Sequence, residues 1–255
     1  MQQAILDARA SAAQEEQRRY ERCSFCGGVG YVHVDVPFGD PRFGKPMPCR
    51  KCTKIAEIAQ YRVEKLSVIP AGLAAMKATW ATFPPHTDQE ALRKVRNYVK
   101  AIIAGSLEQR GVVLRGKNQI GKTGMAYCVH NDLLAAQIPS VFIRAIDFLD
   151  RMQVALMDNE NRERHITLME NFTTITHLVI DDLGAEKLTD KRQEFFYNLF
   201  DVRSNSPTTF TTITSNLEGE DLREKLGDRV YSRFANEKFF QVLVRGEMNA
   251  LNGVR

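Results

Sequence analysis

Residues 111–137 read GVVLRGKNQIGKTGMAYCVHNDLLAAQ. A short apolar strand pattern, 111–115, runs into Gly116, Lys117, Asn118, Gln119, Ile120, Gly121, Lys122 and Thr123, and a helical pattern follows. The octamer fits G-x-x-x-x-G-K-[ST] in the strand–loop–helix setting that gives this motif its meaning. Its spacing has a mechanical cause. Gly116 and Gly121 let the loop curl so that successive backbone N–H groups point inward at phosphate oxygens. The helix start behind them adds its partial positive charge. Lys122 would reach the β- and γ-phosphates, and the Thr123 hydroxyl would coordinate Mg²⁺. These eight residues therefore predict a site for ATP and Mg²⁺.

Working outward, a second strand is predicted at 140–144 (SVFIR), followed by a helical stretch over 146–172. Residues 176–187, THLVIDDLGAEK, then read as a strand that ends in two acids. Leu178, Val179 and Ile180 form the unbroken apolar run expected of a strand buried on both faces of a parallel sheet. Acids just past such a strand sit at the crevice where ligands bind. Asp181 is placed to hold the Mg²⁺ shell, and Asp182 to orient or deprotonate an attacking water. A third strand over 208–215 ends at Asn216. If it pairs between the other two, Asn216 reaches the γ-phosphate or the attacking water; otherwise it ends a strand and caps the next helix. Alternating strands and helices predict an α/β fold with a central parallel sheet flanked by helices.

The front of the chain carries a second pattern. Cys23 and Cys26 form one C-x-x-C pair and Cys49 and Cys52 another, with twenty-two residues between the pairs. In a reducing compartment such spacing points to metal rather than to disulfides. Two knuckles of this kind close a tetrahedral four-thiolate site with Zn–S distances of about 2.3 Å, so Zn²⁺ is expected as a structural ion with no open position for water. Iron–sulfur clusters more often place three cysteines close together. The intervening residues 31–48 alternate apolar and polar before breaking at Pro and Gly, which predicts a short hairpin. The result is a small zinc-ribbon-like domain whose metal supplies much of its folding energy. Helices are expected over 4–22 and 54–66, and docking of a partner is the expected role.

The chain has 255 residues, 44% hydrophobic and 26% charged, which excludes disordered and collagen-like classes. Its net charge of +4 permits nucleic-acid contact without demanding it. No apolar run approaches the roughly 18 residues of a membrane helix. Residues 1–20 lack the apolar segment of a secretory signal. A cytoplasmic protein with no membrane partner is expected. Residues 87–90, Thr-Asp-Gln-Glu, read as a capping box opening a helix with Leu92, Val95, Val99 and Ile102 on one face. Trp80 and Phe83 are expected to pack the entry segment near the adenine, and Phe195, Phe196, Tyr197 and Phe200 to be core. Cys128 reads as a small buried apolar residue. Arg229 and Arg233, four apart, share one helical face.

On these residues the chain resembles the AAA+ ATPases of the DnaC/DnaI helicase-loader and IstB transposition-protein group. The likeness runs over about 69–255: Ile69-Pro70, the octamer, 180–184 (IDDLG), 212–216 (TITSN) and 226–234 (LGDRVYSRF). It implies a P-loop AAA+ domain at 69–255 without a separate lid, preceded by the cysteine-bearing domain at 1–68. By this resemblance Asn216 is the sensor-1 residue. Arg233 first, or Arg229, is the arginine finger that reaches the ATP of a neighbouring subunit. A pair of salt-bridging surface arginines is the plainer alternative. Arg255 would be a candidate sensor 2. The resemblance also implies self-association into a ring or spiral around single-stranded DNA, with Arg144, Arg151, Arg162 and Arg164 as candidate phosphate contacts; the same stretch carries Asp147, Asp150, Asp158, Glu160 and Glu163, and a solvated helical face explains it equally well. It implies an ATP-dependent loader of a replicative helicase, held through residues 1–68; the alternative is an IstB-type ATPase regulating a transposase on duplex DNA. The four-cysteine front is where this chain departs from the group.

Overall fold

The computed structural model describes residues 31–33, 37, 46–48, 53–75, 78–158 and 162–246. The chain divides into two compact units, 1–61 and 62–255. In the first, β1 (Tyr31–His33) and β2 (Pro46–Pro48) pair antiparallel with Tyr31 opposite Pro48. This is the hairpin expected between the cysteine pairs. The four cysteines and the helix expected at 4–22 lie outside the described residues. The α1 helix (Thr53–Leu66) crosses the division, and its last turn buries Val63 and Leu66 in the core of the second unit.

The second unit runs α2 (Ala71–Ala75), α3 (Gln89–Ala104), β3 (Gly111–Arg115), α4 (Lys122–Ala135) and β4 (Ser140–Arg144). It continues with α5 (Ala145–Met157), α6 (Arg162–Thr174), β5 (His177–Asp181) and α7 (Asp190–Asn205). Last come β6 (Phe210–Ser215), α8 (Gly219–Leu226), α9 (Asp228–Tyr231) and β7 (Phe239–Leu243). Five strands form one parallel sheet in the order β4-β5-β6-β3-β7. The third predicted strand thus lies between the octamer's strand and the aspartate strand. Parallel register puts Arg115 beside Ser215, and Arg144 beside Asp181, so the chain leaves these strands along one edge.

Side chains alternate across the strands and divide the core in two. Val112, Leu114, Phe142 and Val179 face the layer of α2, α3 and α4. Val113, Val141, Ile143, Leu178, Ile180 and Ile213 face the layer built from α5, α7, α8 and the end of α1. The outer edge of β4 is covered: the Val68 N–H donates to the Phe142 carbonyl at 2.7 Å, and the Phe142 N–H donates to Ser67 Oγ at 3.2 Å. Arg151 caps α1 by donating to the carbonyls of Lys65 and Leu66 at 3.0 and 2.9 Å.

Two sequence expectations shift. The cap of α3 is Asp88, not Thr87: its Oδ1 accepts the Ala91 N–H at 2.9 Å while its Oδ2 accepts the Arg245 N–H at 2.9 Å. A carboxylate can accept both bonds at once, and the second comes from a residue 157 positions away that no local pattern announces. The helical stretch over 146–172 is two helices, α5 and α6, packed on each other. The polar run after Met157 ends α5, and Arg164 pairs across the break with Asp158 at 3.3 Å.

The far end of the sheet is held by buried polar groups. Arg203 is fully buried on α7 and donates to Thr211 Oγ1 at 2.9 Å and to the Phe172 and Ile175 carbonyls at 2.8 Å. It also donates to the Phe210 carbonyl, and its burial pulls the guanidinium pKa down to about 9. Ser140 bridges His130 and His177, each through Nδ1, at 2.8 and 2.7 Å, and His177 Nε2 meets Thr212 Oγ1 at 2.9 Å. Arg203→Met keeps the volume but strands these carbonyls. It should cost about 3 kcal/mol or more of unfolding free energy, read as a lower urea midpoint.

Candidate nucleotide site

The loop between β3 and α4 has the geometry its glycines predict. Gly116 has φ 142, and a Cβ there would stand 2.4 Å from the Val244 carbonyl oxygen. Gly121 has φ 97, and a Cβ would meet the Phe83 ring at 3.2 Å. Phe83 therefore does pack against the loop, and Trp80 joins it: the rings lie 6.3 Å apart, and Trp80 Nε1 donates to Asp132 on α4 at 2.6 Å. Ile120 is buried beneath the loop, while Lys117, Asn118 and Gln119 are exposed, Gln119 at φ 62. No side chain caps the start of α4, so the first-turn amides face the space an anion would occupy.

Opposite the loop stand the two acids. Asp181, 1% exposed, ends β5, and its Oδ1 accepts from Thr123 Oγ1 at 3.0 Å and from Thr214 Oγ1 at 2.6 Å. Burial pushes its pKa up to about 6 against the pull of the two hydroxyls and Lys122. Lys122 is buried and donates to the Lys117 carbonyl. Burial lowers its pKa to about 8, opposed by Asp182 and Asp181. Asp182 is half-exposed with φ 56; its N–H donates to Thr214 Oγ1 at 2.9 Å, and its Oδ1 accepts from Asn216 Nδ2 at 3.2 Å.

The octamer, the twin aspartates and Asn216 are thus brought together. Thr123 Oγ1 and Asp181 Oδ1 form a hard-oxygen pair of the type Mg²⁺ takes. Thr214 is the residue that sequence reading missed. One buried hydroxyl donates to Asp181 and accepts from the backbone of Asp182, so it sets both acids. Its signal was faint: a Thr two positions before Asn216, hence on the same side of the strand.

Arg229 and Arg233 are not part of this cluster. Both guanidiniums lie over the Tyr197 ring on α7, at 3.8 and 4.9 Å from its centroid. Among the described residues, no hydrogen bond or ion pair joins either arginine to Lys122, Asp181 or Asp182. The other candidate arginines are engaged within the chain: Arg144 with Asp147 at 2.7 Å, Arg164 with Asp158, and Arg151 as the cap of α1. The Arg162 side chain and Arg255 lie outside the described residues. No helix among the described residues is long and apolar enough to cross a membrane.

Comparison with known proteins places this geometry. The chain is 24% identical over 114 residues to the insertion sequence IS232 putative ATP-binding protein of Bacillus thuringiensis subsp. berliner. That match covers 45% of this chain and 44% of the relative, so it spans less than half of that protein's length. Among solved structures, the DnaC helicase loader superposes with a TM-score of 0.54 at 22% identity, over 66% of this chain and 97% of that one. DnaI gives 0.58 at 18% identity, over 72% and 100%. AMPPCP-bound DnaA from Aquifex aeolicus gives 0.52 at 19% identity, over 65% and 50%. These share the AAA+ P-loop fold, a parallel sheet flanked by helices. Residues 81–235, which contain the octamer, both aspartates and Asn216, match the family model of the IstB-like ATP binding protein, and the chain belongs to that family.

Proposed function

We propose that the chain is an ATPase that couples ATP hydrolysis to its own assembly on DNA and to the remodelling of a partner. The observation that carries this is Thr214, whose one hydroxyl holds the metal-side carboxylate of Asp181 and the backbone of Asp182 opposite the amide-lined loop. In this reading the backbone of 116–123 cradles the phosphates of the substrate, and Lys122 leaves the Lys117 carbonyl for the β- and γ-phosphates. Thr123 and Asp181 would hold Mg²⁺, which when bound neutralises charge on the phosphoryl oxygens. Asp182, at the open side of the crevice, takes the proton of the attacking water or orients it, and Asn216 fixes that carboxylate. Arg233 and Arg229 act from a neighbouring copy, where a guanidinium stabilises charge on the γ-phosphoryl.

For the partner, the reading is a helicase loader. Copies assemble as a ring or spiral on single-stranded DNA and pass a replicative ring helicase held by residues 1–68, a domain stabilised by Zn²⁺ on Cys23, Cys26, Cys49 and Cys52. It is supported by the sequence resemblance and by the fold shared with DnaC and DnaI. The antiparallel β1–β2 pair, whose Tyr31 and Pro48 ends are nearest in sequence to both cysteine pairs, supports the zinc domain. A second reading, an ATPase serving a transposase on duplex DNA, is favoured by the IstB-like match and the insertion-sequence relative.

Four outcomes are expected. Lys122→Ala should abolish nucleotide binding, measured by titration with a fluorescent ATP analogue, without lowering the thermal midpoint. Thr214→Val should cut turnover roughly tenfold or more. It should also move the acid limb of the pH profile upward, because Asp181 must be ionised to hold Mg²⁺ and loses a hydroxyl that lowers its pKa; Thr214→Ser should restore both. On forked DNA, the full chain with ATP should place a replicative helicase and be stimulated more by single strands than by duplex. Cys49→Ser should lose one equivalent of zinc together with helicase capture. Stimulation by duplex alone, with no helicase bound, would reverse the order of the two readings.

A further inference from the structure

Two cations sharing one ring need an explanation. Arg229 and Arg233 repel each other, yet both rest on Tyr197, a half-exposed residue of α7. Their holds differ. Arg233 Nη2 donates to the Tyr197 hydroxyl at 2.9 Å, and its Nε lies 2.9 Å from Asp201 Oδ1, one turn along the same helix. Arg229 is exposed, and no carboxylate among the described residues lies within ion-pair distance of it. What holds it is Tyr197 alone: the guanidinium lies over the ring face at 3.8 Å and acts on the phenol oxygen as Arg233 does. Both guanidiniums pull the Tyr197 phenol pKa down, Arg233 first.

The platform beneath is rigid. Phe195, Phe196 and Phe200 bury the inner face of α7. Phe234, just after Arg233, packs edge-on against Phe200 at 5.1 Å, and Val230, just after Arg229, is buried. Each arginine is thus followed by a buried anchor, and among the described residues neither side chain bonds to this chain's own loop or aspartates. A guanidinium held by one ring and its hydroxyl, with no carboxylate, is orientated by the quadrupole but less firmly tied than one that also has an ion pair. It can slide toward a phosphate while keeping part of that contact. Arg233 would first have to leave a carboxylate and a hydroxyl.

We propose that Tyr197 is a positioning residue that presents Arg229 to the triphosphate of a second copy of this chain, while Arg233, tied to Tyr197 and Asp201, braces the pair. The proposal rests on the reading that this arginine pair acts in trans, and it reverses the order the sequence suggested, in which Arg233 came first.

The test uses the full chain at a concentration where copies associate, with ATP saturating. Arg229→Ala should lower kcat by about a hundredfold or more, as removal of such a residue does. Arg233→Ala should lower it less. Tyr197→Leu should lower kcat about tenfold with KM for ATP within about twofold, and Tyr197→Phe, which keeps the ring, should stay within about threefold of the parent. Each variant is then mixed with Lys122→Ala, which lacks a working loop but carries the intact arginines and Tyr197. Recovery of turnover in both the Arg229→Ala and Tyr197→Leu mixtures is expected, and an unfolded Tyr197→Leu could not recover. Recovery of Arg229→Ala alone, or a Tyr197→Leu indistinguishable from the parent, refutes the role of Tyr197 and leaves the trans reading standing. No recovery of Arg229→Ala overturns the trans reading itself. A deeper loss in Arg233→Ala than in Arg229→Ala overturns the proposed order.

Discussion

A carboxylate that is almost wholly removed from water is costly unless its oxygens are bonded, and Asp181 meets that cost with two hydroxyls on one oxygen. Thr123 comes from the start of α4, Thr214 from β6, and the acid itself from β5. The bonds therefore tie three elements that are far apart in sequence into one corner of the sheet. They also leave Asp181 with a pKa near 6, ionised at neutral pH but without much margin. Lys122, its pKa lowered to about 8, faces the same corner, so the two groups are each close to their switching range. A site in that condition is ready for an anionic substrate and its cation, each of which would stabilise the charge now poorly solvated.

The opposite end of the sheet shows the same physics put to a different use. Arg203 is sealed among backbone carbonyls at the ends of α6 and the start of β6, and a His–Ser–His–Thr chain crosses the strands beside it. Burial holds His130 down at about 4 and His177 lower than its ordinary value, so both stay neutral at physiological pH. These groups are buried and satisfy one another, which makes them braces rather than chemistry. Their arrangement keeps the strand starts in register, and register is what delivers Asp181, Ser215 and Arg115 together at the other edge.

Charge also separates the arginines spent within the chain from those left at its surface. Most arginines considered as phosphate contacts are spent inside the chain, capping α1 or pairing with neighbouring acids. The pair on Tyr197 is the exception, with two positive charges, one carboxylate and one ring at the surface. Such an imbalance is tolerable in water and becomes useful when an anion is brought to it.

From the sequence alone came the octamer and its strand, the twin acids, the parallel α/β class and the strand limits of β3 and β4. Each of these is local, because glycine freedom, apolar runs and helix starts act over a few residues. What only tertiary structure decided was adjacency. The sheet order put β6 between β3 and β5 and so turned an unremarked Thr214 into the link between both acids. Asp88 caps α3 in place of Thr87, and its other oxygen accepts a bond from the distant Arg245. Packing of α9 against α7 set two arginines on Tyr197, a residue read as core. Hydrogen bonds and cation–π contacts of this kind join residues tens of positions apart, and no periodicity along a chain encodes which distant partner will arrive, because that depends on how the packed elements meet.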